Sequence, residues 1–368
     1  MTEEEIVTNA NNLWYSGQKV RKSSPDKAST QIFMRNLLIN INFAIDDITH
    51  RTWDIKWMKP FIISERGHKR KIQGNIPYDR MILHSYLDYS LEPRLRKYLI
   101  YDNYASQIDK GITLARKRFK KQLNEAYREY GNNKFYVLLV DFRKFYDNIQ
   151  HQKLIDAIFE KIPYNEFDEY MIWTILDSFK VDVSWMTTDE YLHCLENIYI
   201  SLDHLYEKRQ GKKYMRKSLN IGNQGSQLFS IFYPTKIDNY IKIVKGFKKF
   251  GRYMDDMELI HNKKSVLWNT LDSIVPICDN MGLYLNTKKT QLYRVDNDFK
   301  YLNRIYRVTD TGHVIERLSP STIIREERQI KRYSDIGKPI EDQFRAWAGG
   351  FTPYMTEWEI EHINGLIS

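Results

Sequence analysis

Cysteine is almost missing from this sequence. Only Cys194 and Cys278 occur in 368 residues, and neither belongs to a Cys-x-x-Cys pair. That spacing excludes a zinc ribbon and a disulfide framework and fits a reducing compartment. No stretch of about 18 uninterrupted apolar residues occurs, so no membrane span is expected. The N-terminus, Met1-Thr2-Glu3-Glu4-Glu5-Ile6, is acidic and has no apolar core of a signal peptide. The expected location is therefore cytoplasmic. Internal repeats, low-complexity tracts and long linkers are also absent, so any subdomains are expected to pack into one body.

What is present is aromatic and basic. Hydrophobic residues make up 42% of the chain, which excludes a disordered protein. Aromatics reach 14%, with 26 Tyr, and the formal net charge is +9. Cations meet phosphates and rings stack on bases, so this balance suits a nucleic-acid partner. The length allows two or three subdomains.

Hydrophobic periodicity predicts helices over Asn9 to Trp14, Gln31 to Ile48, Met81 to Leu91 (ended by Pro93), Leu114 to Tyr130 and His151 to Glu160. Tyr164 to Phe179, Tyr191 to Lys208, Leu228 to Val244, Ser265 to Met281 and most of 320–368 also read as helical. A hairpin is expected over Phe61 to Ile72, turning at Gly67. Strands are expected over Phe135 to Val140, Phe250 to Tyr253, Met257 to His261 and Phe299 to Val308, with a return strand at His313 to Ile315. Gln210 to Lys213 reads as a basic turn.

The stretch that organises these elements is Gly251-Arg252-Tyr253-Met254-Asp255-Asp256-Met257-Glu258. Adjacent side chains on a strand point to opposite faces, so a flat strand could not aim both acids at one ion. A tight hairpin turn can. An isolated Asp-Asp is ordinarily a solvated turn. Here an apolar strand upstream ends in Asp141, and a glycine/glutamine loop, Ile221 to Gln227, lies between. Asp141, Asp255 and Asp256 together offer the hard oxygen donors that Mg²⁺ takes alongside substrate phosphates and water. Glu258 lies beyond the turn and is left outside this set.

These pieces resemble the reverse transcriptases. Asp141 with Phe145 and Tyr146 matches the family's first palm motif. Gln224-Gly225-Ser226 matches its Gln-Gly loop, and Tyr253-Met254-Asp255-Asp256 its Tyr-x-Asp-Asp box. Gly282-Leu283 and Lys289-Thr290 match the later Gly-Leu and Lys-Thr motif. Phe299 to Ile305 stands where the primer-grip hairpin lies, and Arg70-Lys71-Ile72 matches a fingers motif. The resemblance spans roughly residues 55–310. It implies an α+β right-hand polymerase: a helical extension over 1–55, fingers over 56–134, palm over 135–310 with a helical insertion at 161–220, and a short helical thumb over 311–368.

The resemblance also implies roles. Asp141 and Asp255 would be the main ligands of Mg²⁺, with Mn²⁺ as the alternative, and Asp256 would assist. Two such ions, about 4 Å apart, drive nucleotidyl transfer. Tyr146 would exclude a ribose 2′-hydroxyl. Gln224 and Gly225 would line the dNTP pocket, Lys69 and Arg70 would hold the triphosphate, and Lys289 would sit near the pyrophosphate. Tyr253, Met254 and Tyr301 would contact the primer. The implied partners are an RNA template (a dedicated non-coding RNA among the candidates), dNTPs and the cDNA product. A second copy or a partner protein is also compatible, and a membrane is not expected.

Two departures narrow the subtype. The loop ends Gln224-Gly225-Ser226-Gln227, where many bacterial members have Gln-Gly-Ser-Pro. The primer-grip strand reads Tyr301-Leu302-Asn303-Arg304 in place of the usual Leu-Gly. A Ser-Gln ending is similar to that of phage-defence and diversity-generating retroelement enzymes. No RNase H, Cys/His endonuclease or integrase region is visible. The expectation is a compact bacterial or prophage polymerase in anti-phage defence. Alternatives are a retroelement enzyme, untemplated or protein-primed synthesis, and a non-catalytic RNA-binding scaffold.

Overall fold

The computed structural model describes residues 1–55, 61–65, 68–179, 181–182, 187, 207–209, 212–337 and 341–365. Helices and antiparallel sheets are mixed, as the α+β expectation requires. The chain forms two compact units from interleaved segments. One comprises Met1–Ile108, Phe142–Gly246 and Asp272–Asn286; the other comprises Asp109–Asp141, Phe247–Leu271 and Thr287–Ser368.

The first unit begins with helices that the sequence caps locally. Thr2 and Glu5 form a reciprocal capping box, and the Asn9 side chain accepts from the backbone of Asn11 and Asn12. The helix expected over Gln31 to Ile48 is two helices, Ala28–Arg35 and Leu37–Thr49. They break at Asn36, whose side-chain amide donates to the Ile32 carbonyl, a local bond that competes with helix propagation. Leu37, Ile41, Ala44 and Ile48 recur at helical spacing and are buried.

Helix Pro77–Tyr86 runs into a π-helical turn, Leu87–Leu91, and then into helix Glu92–Arg96. Pro93 was expected to end this stretch. The chain instead stays helical through it, with the π turn directly before Pro93 shifting the bonding so that Glu92 N–H donates to the Leu87 carbonyl.

The 161–220 region is not wholly helical. After helix Glu166–Asp177, strands Val181–Asp182, Lys212–Met215 and Glu207–Arg209 form a small antiparallel sheet in that order. Glu207 and Lys208, expected in a helix, and Lys212 and Lys213, expected in a turn, are therefore strand residues; the rest of the expected 191–208 helix lies outside the described residues. The apolar helix expected over Leu228 to Val244 starts earlier and is broken. It comprises Gln224–Phe232, Thr235–Asn239 and a π turn, Tyr240–Val244, interrupted beside Pro234.

The second unit is built on a four-stranded sheet. Tyr136–Asp141 lies between Asp256–His261 and Gln291–Arg294, and Phe250–Tyr253 flanks the far side of Asp256–His261. Val137, Leu138 and Val140 are buried, as befits a strand with neighbours on both edges. Phe299 to Val308 is a hairpin and not one strand: Phe299–Tyr301 and Arg304–Val308 pair around Leu302-Asn303, and Val314–Leu318 completes the sheet. Phe119, on helix Ile112–Tyr130, packs against Phe299, Tyr301 and Tyr306 with ring centroids 6.1, 4.7 and 5.1 Å away. Helices Pro320–Asp335 and Glu341–Phe351 follow, gathered on Leu318, Ile323, Ile330 and Phe344, and helix Glu357–Asn364 comes after them.

Candidate active site

Strand register brings the carboxylates of the second unit together. Asp141, the last residue of the central strand, pairs directly with Asp256, the first of its neighbour. Tyr253 closes the hairpin opposite Asp256, leaving Met254-Asp255 as a two-residue turn. Met254 has φ +57°. Such a turn needs a left-handed first residue, a position that glycine normally fills. A methionine there stores about 1–2 kcal/mol of backbone strain. Arg252 braces it: its buried guanidinium donates Nη1–H to the Met254 carbonyl at 2.8 Å. Arg252 was not singled out from the sequence, though a charge in an otherwise apolar strand was the available signal.

The electrostatics follow from this crowding. Burial pushes the Asp256 carboxyl up to about 7, and the charges of Asp255 and Asp141 add to it, with Lys289 opposing. Lys289 donates from Nζ to Asp141 Oδ2 at 2.9 Å, and that bond raises its own ammonium pKa. Among the described residues no group of three or more His, Cys, Asp or Glu side chains is gathered as a self-sufficient metal cage. The donor set nevertheless fits a hard divalent ion. It consists of carboxylate oxygens whose mutual repulsion a cation relieves, and Mg²⁺ completes its shell with water and phosphate. Glu258 lies on the same strand, fully buried, and accepts from the Tyr301 hydroxyl. Tyr301, expected at the primer, is thus a core residue anchored by its ring to Phe119 and by its hydroxyl to Glu258.

The family model for reverse transcriptase (RNA-dependent DNA polymerase) matches residues 80–305. The chain belongs to the reverse transcriptase family. That family is the RNA-directed DNA polymerase class of nucleotidyltransferases, with a right-hand polymerase fold. No curated protein matches by sequence. Among solved structures the chain is similar to telomerase from Candida albicans in complex with a TWJ fragment of telomeric RNA. The TM-score is 0.45 and identity 12%, over 80% of this chain and 55% of that one. It is also similar to apo telomerase from Candida tropicalis, with TM-score 0.44 and 14% identity over 73% of this chain and 52% of that one. The chain thus spans little more than half the length of these telomerases.

In this reverse transcriptase the remaining candidate residues belong to the first unit. Tyr146 stands on the short helix Phe145–Asn148, and its hydroxyl bonds Ser230 Oγ at 3.3 Å. Gln224 and Gly225 are not in a loop. They open helix Gln224–Phe232, where Asn223 caps the Gly225 N–H at 2.6 Å. A Cβ on Gly225 would lie 2.9 Å from Ile175 Cγ2, so close packing alone demands glycine there. Gly222, at φ +113° and with Gln73 O 2.9 Å from where its Cβ would be, is the true backbone turn. Gln224 Nε2 donates to Asp88 Oδ1 at 2.5 Å, a partner that sequence reasoning missed because nothing local ties residues so far apart. Lys69 and Arg70 lie on strand His68–Ile72, paired with Ser64 and Ile63; their side chains and the turn at Gly67 lie outside the described residues.

Proposed function

We propose that this chain synthesises cDNA on an RNA template by adding dNTPs to a primer 3′-hydroxyl. The observation that carries the reading is the register pairing of Asp141 with Asp256 beside the Met254-Asp255 turn. Asp141 and Asp255 would hold divalent cations, Mg²⁺ or Mn²⁺, with Asp256 beside them. Bound there, such ions activate the attacking hydroxyl and stabilise the leaving pyrophosphate. In this reading Lys289 serves as the acid for the leaving pyrophosphate, and its bond to Asp141 keeps it protonated. Tyr146 discriminates against ribose, and its bond to Ser230 fixes the ring's orientation. Tyr253 and Met254 contact the primer end. In the same reading 56–134 serve as fingers, 135–310 as palm and 311–368 as thumb. Asp255→Asn should abolish dNTP incorporation on a primed RNA while RNA binding persists. Incorporation at the parental rate would refute the metal assignment.

The finer reading is anti-phage defence by a bacterial or prophage enzyme acting in the cytoplasm. Gln224-Gly225-Ser226-Gln227 supports it. Expression of the parental chain in a bacterial host with its flanking RNA should lower phage plaquing, and Asp255→Asn should restore it. Equal plaquing in both strains would remove the defence role and leave the polymerase reading intact.

A further inference from the structure

A cavity of about 610 Å³ opens in the first unit beside Asp88, within the range of small-ligand pockets. Ser16, Lys19, Tyr89, Glu92, Arg96 and Ile108 line it. Ser16 and Lys19 come from helix Ala10–Ser23, which precedes the segment shared with the family. The lining carries both signs of charge. Lys19 Nζ donates to Asp88 Oδ2 at 2.7 Å, and Arg96 Nη2 donates to the Ile108 carbonyl at 3.1 Å. Arginine has five donors, so most of its fork remains for an anion. The Tyr89 side chain is 39% exposed, enough to offer a ring face. Glu92 is half-buried, and burial together with the charge of Asp88 pushes its carboxyl up. The Ser16 hydroxyl is buried without a hydrogen-bond partner.

Two cations, two carboxyls (Asp88, engaged by Lys19, and Glu92), one ring and one unspent hydroxyl make a lining of particular chemistry. Cations take a phosphate, a ring takes a base, and a carboxyl accepts from an exocyclic amine. We propose that this cavity binds a single nucleotide, free or presented by an RNA strand. The phosphate lies on Lys19 and Arg96, the base against Tyr89, and its amino group on Glu92. Occupancy is felt beyond the cavity. A phosphate that draws Lys19 loosens its bond to Asp88, and Asp88 is the group that holds Gln224. This last link rests on the reading of Gln224 as part of the dNTP pocket; the binding itself does not.

The test uses the full-length Asp255→Asn protein in EDTA, where polymerase activity plays no part. Equilibrium dialysis measures binding of GMP, of UMP and of a ten-nucleotide RNA. The expected result is saturable GMP binding, tighter than that of UMP, which lacks an exocyclic amine. Arg96→Met weakens it at least tenfold, and Tyr89→Ala, at an exposed position, weakens it several-fold. If only the RNA binds with the same dependence on Arg96 and Tyr89, the nucleotide comes from a strand. If neither GMP nor RNA responds to both substitutions, or UMP binds as tightly as GMP, the proposal is overturned.

Discussion

Asp256 shows how strand register becomes chemistry at the scale of one residue. Its ordinary pKa is 3.8, and burial among Asp255 and Asp141 lifts it to about 7 in the fold. Below about pH 4 both folded and unfolded chains hold the proton, so the group contributes nothing to stability. Between about 4 and 7 the unfolded chain has lost the proton while the folded one keeps it, so stability falls as pH rises. Above about 7 the full cost stands, roughly 4 kcal/mol. In EDTA, Asp256→Asn should therefore raise the unfolding free energy at pH 8 by that order, with the gain shrinking as the pH is lowered to 5. Denaturant titrations at the two pH values measure it, and no gain at pH 8 would contradict the crowding. The carboxylates were legible in the sequence because each sits at the end of an apolar run. The burial of Glu258 was not, because it depends on a partner, Tyr301, remote in the chain, and Arg252 showed only as a charge in an apolar strand. Cys278 makes the complementary case. Burial pushes its thiol up to about 12, leaving almost no thiolate at neutral pH. In a Cys194→Ser background the native protein should release no thiol to a disulfide reagent at pH 8, and the denatured protein one.

Hairpins and helix breaks show what elements add. The stretch Phe299 to Val308 reads as one strand because Leu302-Asn303 lacks the Asn-Gly or Asp-Gly signature of a two-residue turn. Both residues nonetheless take left-handed conformations, with φ +44° and +63°. A leucine in that region is strained, and the fold offsets it from outside the hairpin. Arg116, on helix Ile112–Tyr130, donates Nε–H and Nη2–H to the Leu302 carbonyl at 3.0 and 2.6 Å. Helix Ile112–Tyr130 thus carries a clamp for the turn. Arg116→Met should cost about 1–3 kcal/mol, the worth of charge-assisted hydrogen bonds to a buried acceptor. The loss should appear as a lower denaturation midpoint, and an unchanged midpoint would mean the turn holds itself. The same logic explains Asn36 and Pro93. A side-chain bond at Asn36 and a π turn before Pro93 decide where helices break or continue, which apolar periodicity alone cannot locate.

At the scale of the molecule, the family model begins at residue 80, but the first unit begins at residue 1. The earlier helices are not an appendage. Ser85 Oγ donates to the Val7 carbonyl at 2.7 Å, Tyr78 donates to Asp47 at 2.6 Å, and Trp53 Nε1 donates to Asp79 at 3.2 Å. Arg94 Nη2 reaches Asp168 Oδ1 at 2.7 Å, Tyr86 reaches the same oxygen at 2.8 Å, and Glu3 stands 3.4 Å from Arg94. Ten apolar side chains of residues 1–55 are buried, from Val7 to Ile55. A large aliphatic side chain is worth about 1.5–3 kcal/mol when taken from water, and a whole domain is stable by only about 5–15 kcal/mol. Losing even a few of the contacts that these side chains make with the rest of the unit is therefore a large fraction of its stability. A chain starting at residue 56 keeps every motif by which the family is recognised, yet it should lack a cooperative thermal transition and expose surface to a hydrophobic dye. Separate addition of a 1–55 peptide should partly restore the transition, because the lost contacts are non-covalent. If the shortened chain melts cooperatively at the parental temperature, residues 1–55 are dispensable for folding, and the coupling of Lys19 to Asp88 is their remaining contribution.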